Sequence, residues 1–300
     1  MSPVGQDCKT ASMNDPPTDP IAAARRSYAE ELRLTAHVRS PAVIAAFATV
    51  PRERFVGPGP WRVLSPMGPA EHWTTTNADP ATVYHDVLIA LDEARRINNG
   101  QPSLWAYLLD QLPILSGERV THLGCGTGYY TAIIAELVGP TGAVKAIEMH
   151  ADLAAKARVS LESWPHVTVI NVDAASVSIE PSDLIVASAG ATHPLPVWLD
   201  ALKPGGRLLF PLTATKGPGG MLLVSRGTED NFVAQFLCSV GFIDFEGVRN
   251  PDISRRLARA LTRDQGRAVQ SLRRDLHPKS RTCWLHGEGW CLSRRPPANG

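Results

Sequence analysis

Hydrophobic positions along this chain follow two different periods. Short apolar runs at 120–123, 143–148, 167–172, 183–188 and 206–212 read as strands. The stretches between them, such as Ala151 to Glu162 and Leu195 to Leu202, carry helical spacing. This alternation predicts an α/β fold, a doubly wound, mostly parallel sheet with helices on both faces. Upstream, Pro20 to Val50 is helical in pattern, with a break at Ser40-Pro41 where a second helix starts with proline in its first turn. Pro51, Gly57, Pro58, Gly59 and Pro60 open an irregular stretch lasting to about Ala81. Val83 to Leu91 reads as either helix or strand. Ser103 to Leu112 reads as an amphipathic helix with Leu104, Leu108 and Leu112 on one face. Past Pro211, Met221 to Ser225 and Phe232 to Val240 read as an antiparallel pair. Arg255 to Leu276 reads as a basic amphipathic helix with a solvated basic face, and Thr282 to Leu292 as a final hairpin with Trp284 and Trp290 as core anchors.

These elements divide the chain into a Pro-, Asp- and Thr-rich tail expected to be disordered (1–19), an N-terminal helical region (20–112), an α/β core (113–240) and a C-terminal extension (241–300).

The richest segment runs from Val120 to Glu148. An apolar run meets a turn holding Gly124, Gly126 and Gly128; a helical pattern follows, then a second apolar run closed by Glu148, twenty residues after the last glycine. Glycines let backbone approach a ligand closely and adopt conformations closed to other residues. The helix N-terminus offers unpaired N–H groups, and an acid at the tip of the second strand can accept both hydroxyls of a ribose. An adenosine-type cofactor follows. The dinucleotide fingerprint is G-x-G-x-x-G, whereas here Gly124-Cys125-Gly126-Thr127-Gly128 gives G-x-G-x-G followed by Tyr129 and Tyr130. That form resembles class I S-adenosylmethionine (SAM) methyltransferases, and no phosphate loop with the G-x-x-x-x-G-K-[ST] spacing occurs in the chain.

Composition narrows the classes. At 300 residues a full core is affordable, and a net charge of +1 without a long basic run speaks against nucleic acid or an anionic membrane as partner. No secretory apolar region opens the chain and no apolar run reaches the ~18 residues of a membrane span. Five scattered cysteines without a C-x-x-C pair point to a reducing, cytoplasmic setting. Cys283, His286 and Cys291 are metal-type donors, but their spacing fits no familiar finger and a fourth ligand is missing, so no metal is expected.

Four segments carry a family resemblance. They are V-P-R-E-R-F-V-G-P (Val50 to Pro58), Tyr84-His85-Asp86, Gly100-Gln101-Pro102-Ser103, and the glycine loop with Asp173, Ser182-Asp183-Leu184-Ile185-Val186 and Pro204-Gly205-Gly206-Arg207-Leu208 after it. In that order they resemble the protein-L-isoaspartate (D-aspartate) O-methyltransferase family over about residues 45 to 212. The resemblance implies SAM as cofactor, with Gly124, Cys125, Gly126, Thr127 and Gly128 facing its methionine part. It further implies Glu148 at the ribose and Asp173 at the adenine amine, with Met149, Ala174 and Ser188 as further cofactor-binding residues. Asn99, Gly100 and Gln101, with Asp86 and Tyr84, would form the substrate lip and catalytic contacts. The implied acceptor is a carboxylate of a protein or peptide substrate.

Departures from the family pattern are specific. The family has T-I-S-Q-P, and its serine lies where substrate and cofactor meet; this chain has Asn98-Asn99-Gly100-Gln101-Pro102, so the serine position is Gly100. The family's acid two residues before the first glycine is His122, and its G-D-G is Val172-Asp173-Ala174. Asn98 or Asn99 either supplies the missing polar contact or belongs to a simple turn. His193 is a candidate base, although a lone loop histidine is more often just exposed. A carboxylate is ionised at neutral pH, so methyl transfer to it needs positioning and desolvation rather than a strong base. Two other readings stand beside it: a methyltransferase for a small metabolite, and a SAM-binding partner without catalysis.

Overall fold

The computed structural model describes residues 19–65, 71–215, 217, 219–227 and 231–297. The expected tail therefore lies, but for Asp19, outside the described residues. Asp19 caps the first helix, α1 (Pro20–Thr35), its carboxylate accepting from Ile21 N–H at 3.0 Å. Ser40 caps α2 (Pro41–Thr49) in the same way, with proline in the first turn of both helices. A 3-10 turn over Arg52–Phe55 follows.

The stretch expected to be irregular contains two short strands, β1 (Arg62–Leu64) and β2 (Trp73–Thr74). The ambiguous Val83 to Leu91 segment resolves into a 3-10 turn at Pro80–Val83 and a strand, β3 (Leu88–Asp92), which pairs with β1 and with β4 (Ile97–Asn98). This four-stranded antiparallel sheet, ordered β2-β1-β3-β4, escaped the sequence reading because three of its strands have only two or three residues and show no period. Helix α3 (Pro102–Asp110) then leads into the core.

The core elements are β5 (Arg119–Leu123), α4 (Tyr129–Val138), β6 (Ala143–Glu148), α5 (Ala151–Ser160), β7 (Val167–Asn171), β8 (Ser182–Ala187), α6 (Pro196–Asp200) and β9 (Leu202–Thr213). Beyond them lie β10 (Gly219–Arg226), β11 (Phe232–Val240), α7 (Pro251–Asp264), β12 (Ser271–Arg273), β13 (Cys283–Gly287) and β14 (Trp290–Ser293). One ten-stranded sheet results, ordered β13-β14-β12-β11-β10-β9-β8-β5-β6-β7. Strands β7, β6, β5, β8 and β9 are parallel; from β9 outward every pairing is antiparallel. The sheet is thus mixed rather than mostly parallel. The links from β9 to β10 and from β10 to β11 are too short for crossover helices and so force antiparallel neighbours, whereas the longer link to β12 carries α7 and still returns antiparallel.

Both faces of the parallel half are covered. Along β8, Leu184 and Val186 join one buried cluster with α1 to α4, while Ile185 and Ala187 join the other with α6 and α7. Strand side chains alternate faces, so burial of consecutive residues requires a layer on each side. The helix expected to run from Arg255 to Leu276 spans only Pro251–Asp264. Gln265 (φ 53°) and Gly266 (φ 79°) take left-handed conformations that end it, and the sequence after them pairs as β12. No described helix is long and apolar enough to cross a membrane.

Candidate active site

A crevice of about 770 Å3 opens at the carboxyl ends of the parallel strands, within the size range of small-molecule sites. Its floor is the turn after β5. Gly124 (φ 71°) and Gly126 (φ 57°) are left-handed there, and Gly128 (φ 98°) caps α4. A Cβ at Gly128 would stand 2.7 Å from Leu161 Cδ1, so this glycine serves helix packing rather than the crevice wall.

Glu148, at the tip of β6, is buried in the crevice wall. Its two carboxylate oxygens accept from Gly126 N–H (2.8 Å) and His150 N–H (3.0 Å). Asn171 Nδ2 fixes the following turn by donating to the Glu148 and Met149 carbonyls at 2.8 and 2.9 Å. Each carboxylate oxygen keeps a free lone pair, so the acid is oriented and still able to accept from a diol. The Cys125 thiol beside it is buried, and burial together with the Glu148 charge pushes its pKa far above the ordinary value. It stays a neutral wall atom.

The opposite lip is held by a buried arginine. Arg52, from V-P-R-E-R-F-V, is fully shielded and donates to the carbonyls of Val83 (2.6 Å), His85 (2.7 Å) and Val87 (2.7 Å) and to Asn99 Oδ1 (3.4 Å). Its guanidinium lies between the rings of Tyr28 and Tyr129, 5.7 and 5.8 Å from their centroids. One planar, five-donor group thereby ties the loop before β3 to the lip. Asn98 and Asn99 have separate jobs. Asn98 Oδ1 accepts from Gly100 N–H (2.9 Å), a turn contact. Asn99, a crevice-lining residue, accepts at Oδ1 from Ile89 N–H (2.9 Å), which fixes the orientation of the amide and leaves its buried Nδ2 without a hydrogen-bond partner.

Gly100 has a positive φ of 75°, and a Cβ there would meet Trp105 Nε1 at 2.8 Å and Tyr130 Cε2 at 2.9 Å. Those two rings stack at 4.6 Å, and Tyr130 Oη donates to the Gly100 carbonyl at 3.0 Å. The volume a serine would need is filled by the aromatic pair. At the family's acid position, the ring nitrogens of buried His122 contact Thr131 Oγ1 (2.8 Å) and Ser188 Oγ (2.7 Å). Burial lowers its pKa from 6.5 to about 4, so the ring is neutral.

Of the residues expected at the site, Asn99, Gly100, Gln101, Gly124, Cys125, Gly126, Thr127, Glu148, Met149, Ala174 and Ser188 line the crevice. Asp86, Asp173 and Gly128 do not. Asp86 caps α3 by accepting from Ser103 N–H (2.8 Å) and takes Gln101 Nε2 at 3.3 Å, so it orients the lip from behind. The Asp173 carboxylate accepts from Ala175 N–H (2.8 Å) within its own turn. Tyr84 is buried, its hydroxyl donating to Glu53 rather than facing substrate. His193 sits beside Trp290 and is held below its ordinary pKa by burial and the Arg249 charge, away from the crevice. None of the expected site residues comes from Gly241 to Glu246, a segment that closes the crevice with Phe242 and Phe245. Its signal was two aromatics just past a strand end, in a run that continued neither strand nor helix.

The model of the family described as protein-L-isoaspartate (D-aspartate) O-methyltransferase matches residues 68–249, more than half of the chain. The chain belongs to that family. It is 33% identical over 214 residues to protein-L-isoaspartate O-methyltransferase 2 of Pelobacter propionicus, covering 70% of this chain and 84% of that one. Against protein-L-isoaspartate O-methyltransferase 1 of Geotalea uraniireducens the identity is 32% over 231 residues, covering 75% and 94%. A solved protein-L-isoaspartate O-methyltransferase superposes with a TM-score of 0.62 at 23% identity, over 80% of this chain and 69% of that chain. The family's enzyme from Plasmodium falciparum, in complex with S-adenosyl-L-homocysteine, gives 0.58 at 16% identity, over 74% and 98%. These likenesses show a shared Rossmann-like fold. The family match extends past the resemblance noted above, through the crevice-closing segment to residue 249.

Proposed function

We propose that this protein transfers a methyl group from SAM to a carboxylate oxygen of an isoaspartyl or aspartyl residue in a protein or peptide. The oriented Glu148 carboxylate in one crevice with the left-handed glycine turn carries the cofactor reading, since it fits a ribose diol next to close-approach backbone. When bound, SAM supplies an electrophilic methyl on a sulfonium. The chain's residues do the rest. Gly124 to Thr127 admit the methionine part, Glu148 and Met149 take the ribose, Ala174 past β7 borders the side beyond them, and Ser188 past β8 borders the side of the glycine turn.

On the acceptor side, Asn99 Nδ2 is the donor for the incoming carboxylate. It is a buried amide whose other end is already satisfied, so it gains a hydrogen bond only when an acceptor arrives. No base is required, because the acceptor is ionised at neutral pH. Catalysis then rests on alignment and water exclusion by Phe242, Phe245, Leu88 and Leu91 around the crevice. Family membership disfavours the small-metabolite and non-catalytic readings.

The test uses labelled SAM with an isoaspartyl peptide and its aspartyl twin. Base-labile label on either peptide supports the proposal, and the ratio between them sets the selectivity. Label appearing only in a base-stable form, or on neither peptide, refutes it. Glu148→Gln is expected to weaken SAM binding at least about tenfold by removing a charged acceptor. Unchanged affinity overturns the ribose assignment.

A further inference from the structure

Outside the crevice, at the far end of the large sheet, four metal-type side chains converge. The ligand atoms of His277, Cys283, His286 and Cys291 all lie within 4.8 Å of one another. The three donors visible in the sequence lacked a fourth; the fold supplies it from His277, on the link between β12 and β13. We propose that these four residues form a tetrahedral site for one zinc ion, which staples the C-terminal hairpin to the sheet. The proposal is independent of the methyl-transfer reading, and the four residues lie beyond the span of the family match and outside the crevice.

Backbone geometry builds the site. His286 and Cys291 are directly paired across β13 and β14, so their side chains share a face. Cys283 is three residues before His286 and in a regular strand would point to the other face. The register shift between Cys283 and Leu285 reverses that phase and turns Cys283 to the same side, while Trp284 and Leu285 both remain buried in the core.

The chemistry of each donor fits a ligand. His277 Nδ1 contacts the Asp275 carbonyl (2.9 Å) and lies 3.2 Å from Asp275 Oδ2, which leaves Nε2 as the free nitrogen, 3.5 Å from Cys283 Sγ. A carboxylate or carbonyl behind the second ring nitrogen is the usual support of a metal-bound histidine. That 3.5 Å matches the edge of a tetrahedron with bonds of about 2.0–2.3 Å. Ser280 N–H donates to Cys283 Sγ (3.3 Å), the kind of contact that stabilises a thiolate. His286 Nδ1 is buried with no hydrogen-bond partner, an otherwise costly orphan.

Two thiolates and two neutral imidazoles balance a divalent charge, with two thiol protons released to solvent on binding. An S2N2 tetrahedron selects zinc over magnesium or calcium. Four protein ligands leave no open position, so the site is structural rather than catalytic. The need is local. Strands β12 to β14 have three to five residues each, and β13 forms one edge of the sheet. Strands this short are marginal without a cross-link.

The decisive experiment measures metal in the full-length protein, isolated under reducing conditions from zinc-supplemented medium. About one zinc per chain is expected, falling to near zero in Cys283→Ser/Cys291→Ser and staying at one in the control Cys238→Ser. Zinc is further expected to protect the half-buried Cys283, but not the half-buried Cys238, from alkylation read by mass spectrometry. Should the double variant fail to fold, cobalt(II) added to metal-stripped native protein decides the matter through its tetrahedral thiolate absorption. Absence of that band, zinc content equal in all variants, or a Cys283–Cys291 disulfide in reduced, zinc-exposed protein overturns the proposal.

Discussion

Acid should destabilise this protein through one residue that no charged group touches. His122 lies on β5 beneath the crevice, with hydroxyls of Thr131 and Ser188 at its nitrogens and the Trp105 ring edge-on at 6.0 Å. Both hydroxyls can accept as well as donate, so hydrogen bonding does not forbid an imidazolium; loss of water does. In the folded chain the ring stays neutral down to about pH 4, against an ordinary value of 6.5 in the unfolded chain. Between those values the unfolded state holds more protons. Stability therefore falls as pH falls, beginning near 6.5 and saturating below about 4. The full effect amounts to about 3 kcal/mol, and going from about pH 7.5 to about pH 5 should cost about 2 kcal/mol. The assay is urea unfolding of the native chain and His122→Gln at both pH values. Contributions common to both chains, other histidines and any metal included, cancel in the difference. Native protein is expected to lose about 2 kcal/mol more than the variant on acidification. Parallel losses, within about 0.5 kcal/mol, would show that His122 is hydrated or already charged and refute the argument.

Two further substitutions probe the lip. Gly100→Ser restores the family residue but places a Cβ at positive φ against Trp105 and Tyr130, so it should lower stability by about 1–3 kcal/mol in thermal or urea unfolding without raising turnover. An active, equally stable Gly100→Ser enzyme would mean that the aromatic pair yields. Asn99→Asp keeps an acceptor for Ile89 N–H and Arg52 while replacing the unpartnered donor. Steady-state kinetics should show KM for the peptide rising about 10–100-fold, with SAM affinity and folding retained; an unchanged KM removes Asn99 from acceptor binding.

How much of this could be read from the sequence depended on how local the cause was. The glycine turn, Glu148, the strands of the parallel half and the β10–β11 pair follow from short-range patterns, because a strand period or a left-handed glycine is set by neighbours in the chain. The Arg52 clamp sat inside a recognisable motif, yet its meaning required knowing that residues 83–99 pass beside it. The mixed sheet, the closing segment Gly241 to Glu246 and the roles of Asp86 and Asp173 behind the wall depended on packing between distant segments. So did the exchange of a serine for Gly100 under a Trp105–Tyr130 stack. Asn98 and Asn99 are adjacent and chemically identical, and only the direction of the Ile89 N–H separates turn from site. The zinc-type cluster shows the limit most plainly. A helix pattern that reads on to Leu276 hides His277, whereas a left-handed Gln265-Gly266 stop and a one-residue strand slip bring it beside Cys283. Sequence periodicity records which face a residue prefers; where two such faces meet is fixed by the competition of all segments for the same core.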